Sequence, residues 1–329
     1  MEPRRRRAGG GLNAAHGRWA VYLVGPTLLL LAVVIGYPIV SAVVQSFQND
    51  QGLDTATGMF VSGGFAGLAN YVHWLGQRCA AASGTVACPP GSLGSQFWVS
   101  FGNTFFFAAV TVALETVIGV WMAIIMNRSF RGRALVRAAI LIPWAIPTAV
   151  TAKLWYFIFD VNGVLNHVLG TSILWTSSEW ASRFAIVIAD TWKTTPFMAL
   201  LILAGLQLIP EEVYEAAKMD GATTAQRFRN ITLPLVRPAL MVAVLFRVLD
   251  ALRLYDLPAI LTGGGGGSGN ATTTLSILVV DQIRQGFNSA SALSTITFLV
   301  IFAVAFVFVR FFGANVVQTQ AAQQRGEFR

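Results

Sequence analysis

The chain has 329 residues, of which 55% are hydrophobic and 12% charged, with a net charge of +8 and a mean hydropathy of +0.61. A soluble domain carries roughly twice that charged fraction, so the composition excludes an ordinary soluble domain and points to a helical membrane protein. The positive charge does not signal nucleic acid, because basic and aromatic residues nowhere interleave on a soluble module; the cations cluster beside apolar runs, as those that orient membrane helices do.

In chain order, Arg4, Arg5, Arg6 and Arg7 precede a first apolar run. That run is too long for the core of a signal peptide, and no small-residue cleavage site follows it closely, so a retained helix is expected. Hydropathy picks out six spans, at residues 18–47, 98–126, 134–159, 183–208, 235–257 and 292–313. Each is near the ~20 residues needed to cross a bilayer. Gly25-Pro26, Pro38, Pro143 and Pro147 interrupt the spans. Such kinks suit a cavity or a moving part and serve equally as packing features.

The loops are asymmetric. Arg128, Arg131 and Arg133 lie in one, with Arg137 just beyond it, and Lys218, Arg227, Arg229 and Arg237 lie in or beside another. The loops of the opposite side hold only Arg78 and Arg284. The bias puts both termini on the cytoplasmic side of a multi-pass membrane protein.

The outer loops then are 49–96, 161–182 and 262–289. The second has room for a short helix. The third opens with a glycine-rich run, GGGGGSGN, at 263–270. It lacks the Lys-Ser/Thr pair of a phosphate-binding loop, so it reads as a flexible loop, and no ATP site is expected in this chain. Cys79 and Cys88 share the first outer loop, on the oxidising side. They are either a bridge stapling a small loop or two free thiols. No HExxH or Gly-x-Ser-x-Gly occurs, and His16, His73 and His167 are scattered. Neither a metal site nor a catalytic residue is expected, which argues against an enzyme.

One stretch breaks the apolar pattern: EEVYEAAKMDGATTAQRFRNITLPLVRP, residues 211–238. Pro210 with Glu211 and Glu212 suits a helix start. Asp220-Gly221 suits its stop, with glycine as the left-handed cap. A second short helix is expected over about 223–230, ending before Leu233-Pro234. The product is a small helix-turn-helix with alanines at its crest, open to close approach by another protein. An amphipathic loop lying on headgroups is the plainer alternative.

Here the residues resemble a known family. Glu215-Ala216-Ala217, then Gly221, then Ile231-x-Leu233-Pro234 is similar to the EAA motif of permease subunits of binding-protein-dependent ABC importers. The resemblance extends through FAGLANY (65–71), LIPWAIPTAVTAKLWYFIFDVNGVLN and YDLPAILTGGG, over roughly residues 21–317. It is strongest for the MalF/UgpA-type carbohydrate uptake group, and within it for the first permease subunit of actinobacterial, trehalose-type disaccharide importers. The resemblance implies an all-α MetI/MalF-like permease fold in the bacterial inner membrane: a tail at 1–17, a six-helix domain at 18–317 with its coupling loop at 209–234, and a tail at 318–329. It implies that Glu215, Ala216, Ala217, Asp220 and Gly221 form the ATPase-coupling element, with Asp220 either touching the partner or only capping the turn. It also implies the partners: a second permease subunit, an ATP-binding subunit dimer that carries ATP and magnesium, an extracytoplasmic solute-binding protein, and a sugar such as trehalose or maltose. Glycerol 3-phosphate is the alternative solute, and a stand-alone channel or a membrane anchor the alternative class.

Charges inside spans are expensive and default to functional candidates. Asp190 and Lys193 lie in the fourth span, and Arg247, Asp250, Arg253 and Asp256 recur every third residue in the fifth. Together with Trp155, Trp192 and Tyr255 as aromatic platforms, Lys193, Arg247, Asp250 and Arg253 are candidates for a sugar cavity. Internal salt bridges between helices are the competing reading.

Overall fold

The structure, a computed structural model, describes residues 22–53, 58–81, 84–267 and 269–310. The expected tails at 1–17 and 318–329 lie outside the described residues.

The first apolar run forms helix α1 (Tyr22–Gln45), which exposes Leu29, Val33 and Val40. Its middle widens into a π turn at Ala32–Gly36. Pro38 accounts for this: proline has no N–H, and its ring collides with the carbonyl four residues back, here that of Val34. The next segment is not a plain loop. It pairs β1 (Gln48–Asn49) with β4 (Gly64–Phe65), β2 (Gly52–Leu53) with β3 (Phe60–Val61), and β5 (Arg78–Ala81) with β6 (Gly84–Ala87), all antiparallel. Helix α2 (Ala69–Gly76) stands between β4 and β5.

The second span is α3 (Phe97–Asn127). The third expected span is broken rather than single. Helix α4 (Arg133–Ala145) stops before Ile146-Pro147, and α5 (Thr148–Phe159) and α6 (Val164–Leu169) leave it at 92°. Pro147 cannot continue the ladder, and it pushes Ile146 into an extended conformation. The fourth span is α7 (Glu179–Leu206), followed by the short α8 (Glu211–Met219).

The expected second helix of the polar insert is not separate. It is the start of α9 (Thr224–Ala251), the fifth span, and is joined to it through a π turn at Phe228–Thr232. The proline rule repeats, since Asn230 lies four residues before Pro234. Helix α9 ends at Ala251, earlier than the expected 257, and α10 (Asp256–Leu261) follows a turn. Arg253 and Asp256 therefore do not continue the helical series begun by Arg247 and Asp250. The glycine-rich run folds into consecutive turns, with Gly263, Gly264, Gly266 and Gly267 at positive φ. The loop behind it contains α11 (Leu275–Ile283), and α12 (Phe287–Phe308) is the last span.

The core is a three-helix body. Helices α3, α7 and α9 pack through Met126, Met198, Ile202, Leu206, Val236 and Leu240. Small residues let their backbones approach. A Cβ at Gly119 would lie 3.1 Å from Met198 Cβ, and one at Gly205 would overlap Ala239 Cβ. Small residues matter at such contacts because lipid gives helices no hydrophobic reason to associate. At the end away from α8, Asn103 of α3 donates to the carbonyls of Asn270 and Thr273 at 2.8 and 3.0 Å, holding the glycine-rich turns in place. There too the first loop is fastened to α12. Asp50 accepts from the N–H groups of Asn288 and Ser289, at 2.6 and 3.0 Å, and buried Trp74 donates to Ser289 O at 3.0 Å.

Replacing Gly205 with leucine forces α7 off α9. The expected cost is about 1–3 kcal/mol, read as a lower melting temperature of the detergent-solubilised protein. Leucine at Gly102, where a Cβ meets nothing within 4 Å, should leave the melt unchanged.

Candidate functional site

The polar insert forms a tightly built corner. Glu211 and Glu212 occupy the first turn of α8, where acids oppose the helix dipole. Pro210 is extended and precedes the helix as its N-cap, one residue earlier than expected. At the other end, Gly221 has φ +76°. Its N–H bonds to Lys218 O at 3.1 Å, and that of Ala222 reaches Ala217 O at 2.9 Å. This bond pair is a Schellman motif, so Ala217 and Gly221 are the two ends of one cap. Asp220 is the C-cap residue, just past the last helical residue Met219. Thr223 and Gln226 then form a capping box that restarts the chain as α9. Tyr214 OH meets Thr232 Oγ1 at 3.1 Å and ties α8 to the π turn.

Val213, Ala216 and Met219 form an outward stripe that Glu212 shares, with Met219 88% exposed. Glu211, Tyr214, Glu215 and Lys218 face the other way. They line a cavity of about 410 Å³ with Arg128 and Asn127 at the end of α3 and Arg227 at the start of α9. Glu215 thus sits at the mouth of this cavity, while Ala216 sits on the outward stripe.

The candidates within the spans divide into groups. Arg247 is 1% exposed, so it cannot contact a solute in this conformation. Its Nε and Nη2 donate to the two oxygens of Glu115 at 2.5 and 3.0 Å. Nη2 also bonds Asp190, and Nη1 reaches Asp250 at 3.1 Å. Thr194 donates to Glu115 Oε1 at 2.5 Å. Glu115 is fully buried and was not among the sequence candidates. It is the single ionisable residue of α3, and that isolation was the available signal. Lys193 donates to Ile146 O at 2.6 Å, at the break after α4. Trp155 stacks on Phe159 and meets Trp192 edge-on with ring centroids 5.7 Å apart. The Trp155 indole N–H is buried without a partner. Arg253 is exposed and Tyr255 half-buried, both in the turn beyond α9. The structure therefore gathers Arg247 and Asp250 with Glu115 and Asp190, pairs Trp155 with Trp192, and leaves Arg253 and Tyr255 apart from both groups.

On the first loop, Cys79 and Cys88 form a disulfide across β5 and β6. His73 lies against it, and its Nδ1 is 2.6 Å from Arg78 O. Burial holds the His73 pKa below the usual imidazole value.

Comparison with known proteins gives four findings. The family model described as binding-protein-dependent transport system inner membrane component matches residues 115–318. The trehalose/maltose transport system permease protein MalF of Thermococcus litoralis is 41% identical over 252 residues, covering 75% of this chain and 79% of its own. The trehalose transport system permease protein SugA of Mycobacterium tuberculosis is 37% identical over 310 residues, 92% of each chain. Among solved structures, the fold is similar to a chain of a bacterial ABC transporter involved in the import of the acidic polysaccharide alginate. The TM-score is 0.71 at 17% identity, over 92% of this chain and 98% of that one.

Removing Arg247 alone leaves Glu115 and Asp190 buried without a counter-charge. Arg247→Met should destabilise the protein by about 3–5 kcal/mol. Adding Glu115→Gln and Asp190→Asn should recover most of that loss, measured as thermal unfolding in detergent. Additive losses across the three substitutions would contradict a shared ion cluster.

Proposed function

The chain belongs to the inner membrane components of binding-protein-dependent transport systems, and on that premise we propose that it is one of two permease subunits of an ATP-driven sugar importer. The observation that carries the reading is α8. It is a capped helix pinned between α7 and α9, and it turns Val213, Ala216 and Met219 outward. That stripe suits docking against a separate ATP-hydrolysing chain, which binds ATP and magnesium. The chain itself is a multi-pass transport subunit. Arginine and lysine in the loops put α8 and both termini on the cytoplasmic side. An ATPase dimer offers two docking sites and this chain one such helix, so a second permease completes the pore. A solute-binding protein delivers the sugar on the opposite side. ATP binding closes the dimer, carries α8 with it and turns the bundle outward; hydrolysis resets it. This is alternating access by rigid-body motion.

The solute class follows from the two relatives whose names specify trehalose or trehalose and maltose. The ion cluster adds physical support for a neutral solute over glycerol phosphate. Arg247 is already surrounded by Glu115, Asp190 and Asp250, so this part of the bundle repels a phosphate. Trp155 and Trp192 offer an aromatic face, and the unpartnered Trp155 indole N–H offers a donor to a hydroxyl. Lys193, Arg253 and Tyr255 remain cavity candidates for the other state of the cycle.

The test is ATP hydrolysis by the whole transporter in lipid. Binding protein loaded with trehalose or maltose should stimulate it, and glycerol 3-phosphate should not. Ala216→Asp places a charge on the docked stripe, and Glu215→Ala removes the exposed acid of the coupling element. Each should cut stimulation by roughly tenfold, the equivalent of about 1.4 kcal/mol at a contact. If no ATPase chain co-purifies and neither substitution has an effect, a channel or an anchor is the better reading.

A further inference from the structure

The cavity behind α8 is distinct from the stripe that faces outward. Its volume of about 410 Å³ falls in the range of small-molecule sites, roughly 300–1,000 Å³. Three separate elements aim cations at it: Arg128 follows the end of α3, Lys218 is on α8, and Arg227 begins α9. Glu211 and Glu215 share the lining. Among the described residues, no ion pair within 4.0 Å joins any of these five groups. Arg227 instead donates to Thr224 Oγ1 at 3.2 Å. Arg131 and Arg133, both exposed, follow Arg128 in the chain and do not line the cavity.

We propose that this cavity binds the phosphate of an anionic phospholipid headgroup at the membrane surface. Basic pockets between helices at that level take anionic headgroups. The charge count selects among phosphates. Three cations against two carboxylates leave one net positive charge. That matches a phosphodiester, which carries one negative charge, and disfavours a phosphate monoester, which carries about −1.5 to −2 at neutral pH. A headgroup seated here would fill the space between α8 and the bundle. It would stiffen the corner without touching the outward stripe.

The experiment uses the whole transporter in nanodiscs of neutral phosphatidylcholine containing a trace of fluorescent phosphatidylglycerol. Lipid retained after transfer into detergent is measured. Wild type should retain the anionic lipid over a labelled neutral one, and excess inorganic phosphate should not displace it. Arg128→Gln and Arg227→Gln should each weaken retention by roughly fivefold, the worth of one basic side chain at an anionic surface. Arg131→Gln, outside the cavity, should have a smaller effect. Equal retention of the two lipids by wild type overturns the proposal, and this comparison needs no variant to fold. An Arg131→Gln loss as large as that of Arg128→Gln overturns it too, because the attraction would then be a diffuse surface charge. Displacement by inorganic phosphate would make free phosphate the ligand and sink the lipid assignment.

Discussion

The bundle is organised around one guanidinium that cannot lose its charge. Arginine stays protonated in proteins, so burying Arg247 obliges the fold to bring carboxylates to it. Glu115 comes from α3, Asp190 from α7 and Asp250 from the next turn of α9 itself. Each helix has one position at which the contact can form, so the cluster sets their relative register. Apolar packing alone would not do this in lipid, where sliding one greasy helix along another changes little. The ions specify the alignment, and Gly119 and Gly205 make it sterically possible by letting the backbones approach.

This arrangement gives α8 a stiff mounting. It hangs between the end of α7 and the start of α9, two members of the ion-locked body. Its C-terminal end is capped by backbone hydrogen bonds, and Tyr214 ties its middle to Thr232. A push on such a helix moves the three-helix body as a unit. The α4–α5 segment is attached differently. Its backbone is interrupted at Ile146-Pro147, and Lys193 occupies the carbonyl that the interruption leaves open. A cation there also opposes the negative end of the α4 dipole. The broken segment is thus tied to its neighbours by donors to single backbone carbonyls, Lys193 to Ile146 O and Arg137 to Met126 O at 2.7 Å, where the other helices share an ion network.

Much of this was legible in the sequence, and the exceptions share a cause. Hydropathy found each apolar run, because a bilayer demands about 20 apolar positions and tolerates few charges, but it missed the polar start of the fifth span at Thr224. The corner at 211–234 was legible through local chemistry: acids at one helix end, Asp-Gly at the other. Local rules miss what distant residues supply. Pro147 was read as a kink, but the right-angled break depends on Lys193, 46 positions along the chain, to satisfy Ile146. Continuous apolar character hid the end of α9 at Ala251, since the turn and α10 are as greasy as the helix. Glu115 was overlooked because a lone acid in an apolar run shows no motif, and its meaning comes only from Arg247, 132 residues later. Glycine content suggested looseness at 263–270, whereas Asn103 on another helix holds those turns.

The exposure of apolar residues on α8 follows from the same logic. A surface helix normally turns its apolar side to the bundle and its charges to water. Here Glu211, Glu215 and Lys218, all exposed, border an open space shared with Arg128 and Arg227, and Ala216 and Met219 stay exposed on the other side beside Glu212. For an isolated chain that orientation is costly, since Met219 and Val213 gain nothing from exposure to water. It becomes favourable once another surface covers the stripe and an anion, or ordered water, fills the space behind. On the function and the ligand proposed above, the helix has two neighbours, one on each side. That is why a chain so apolar keeps a polar corner at this point.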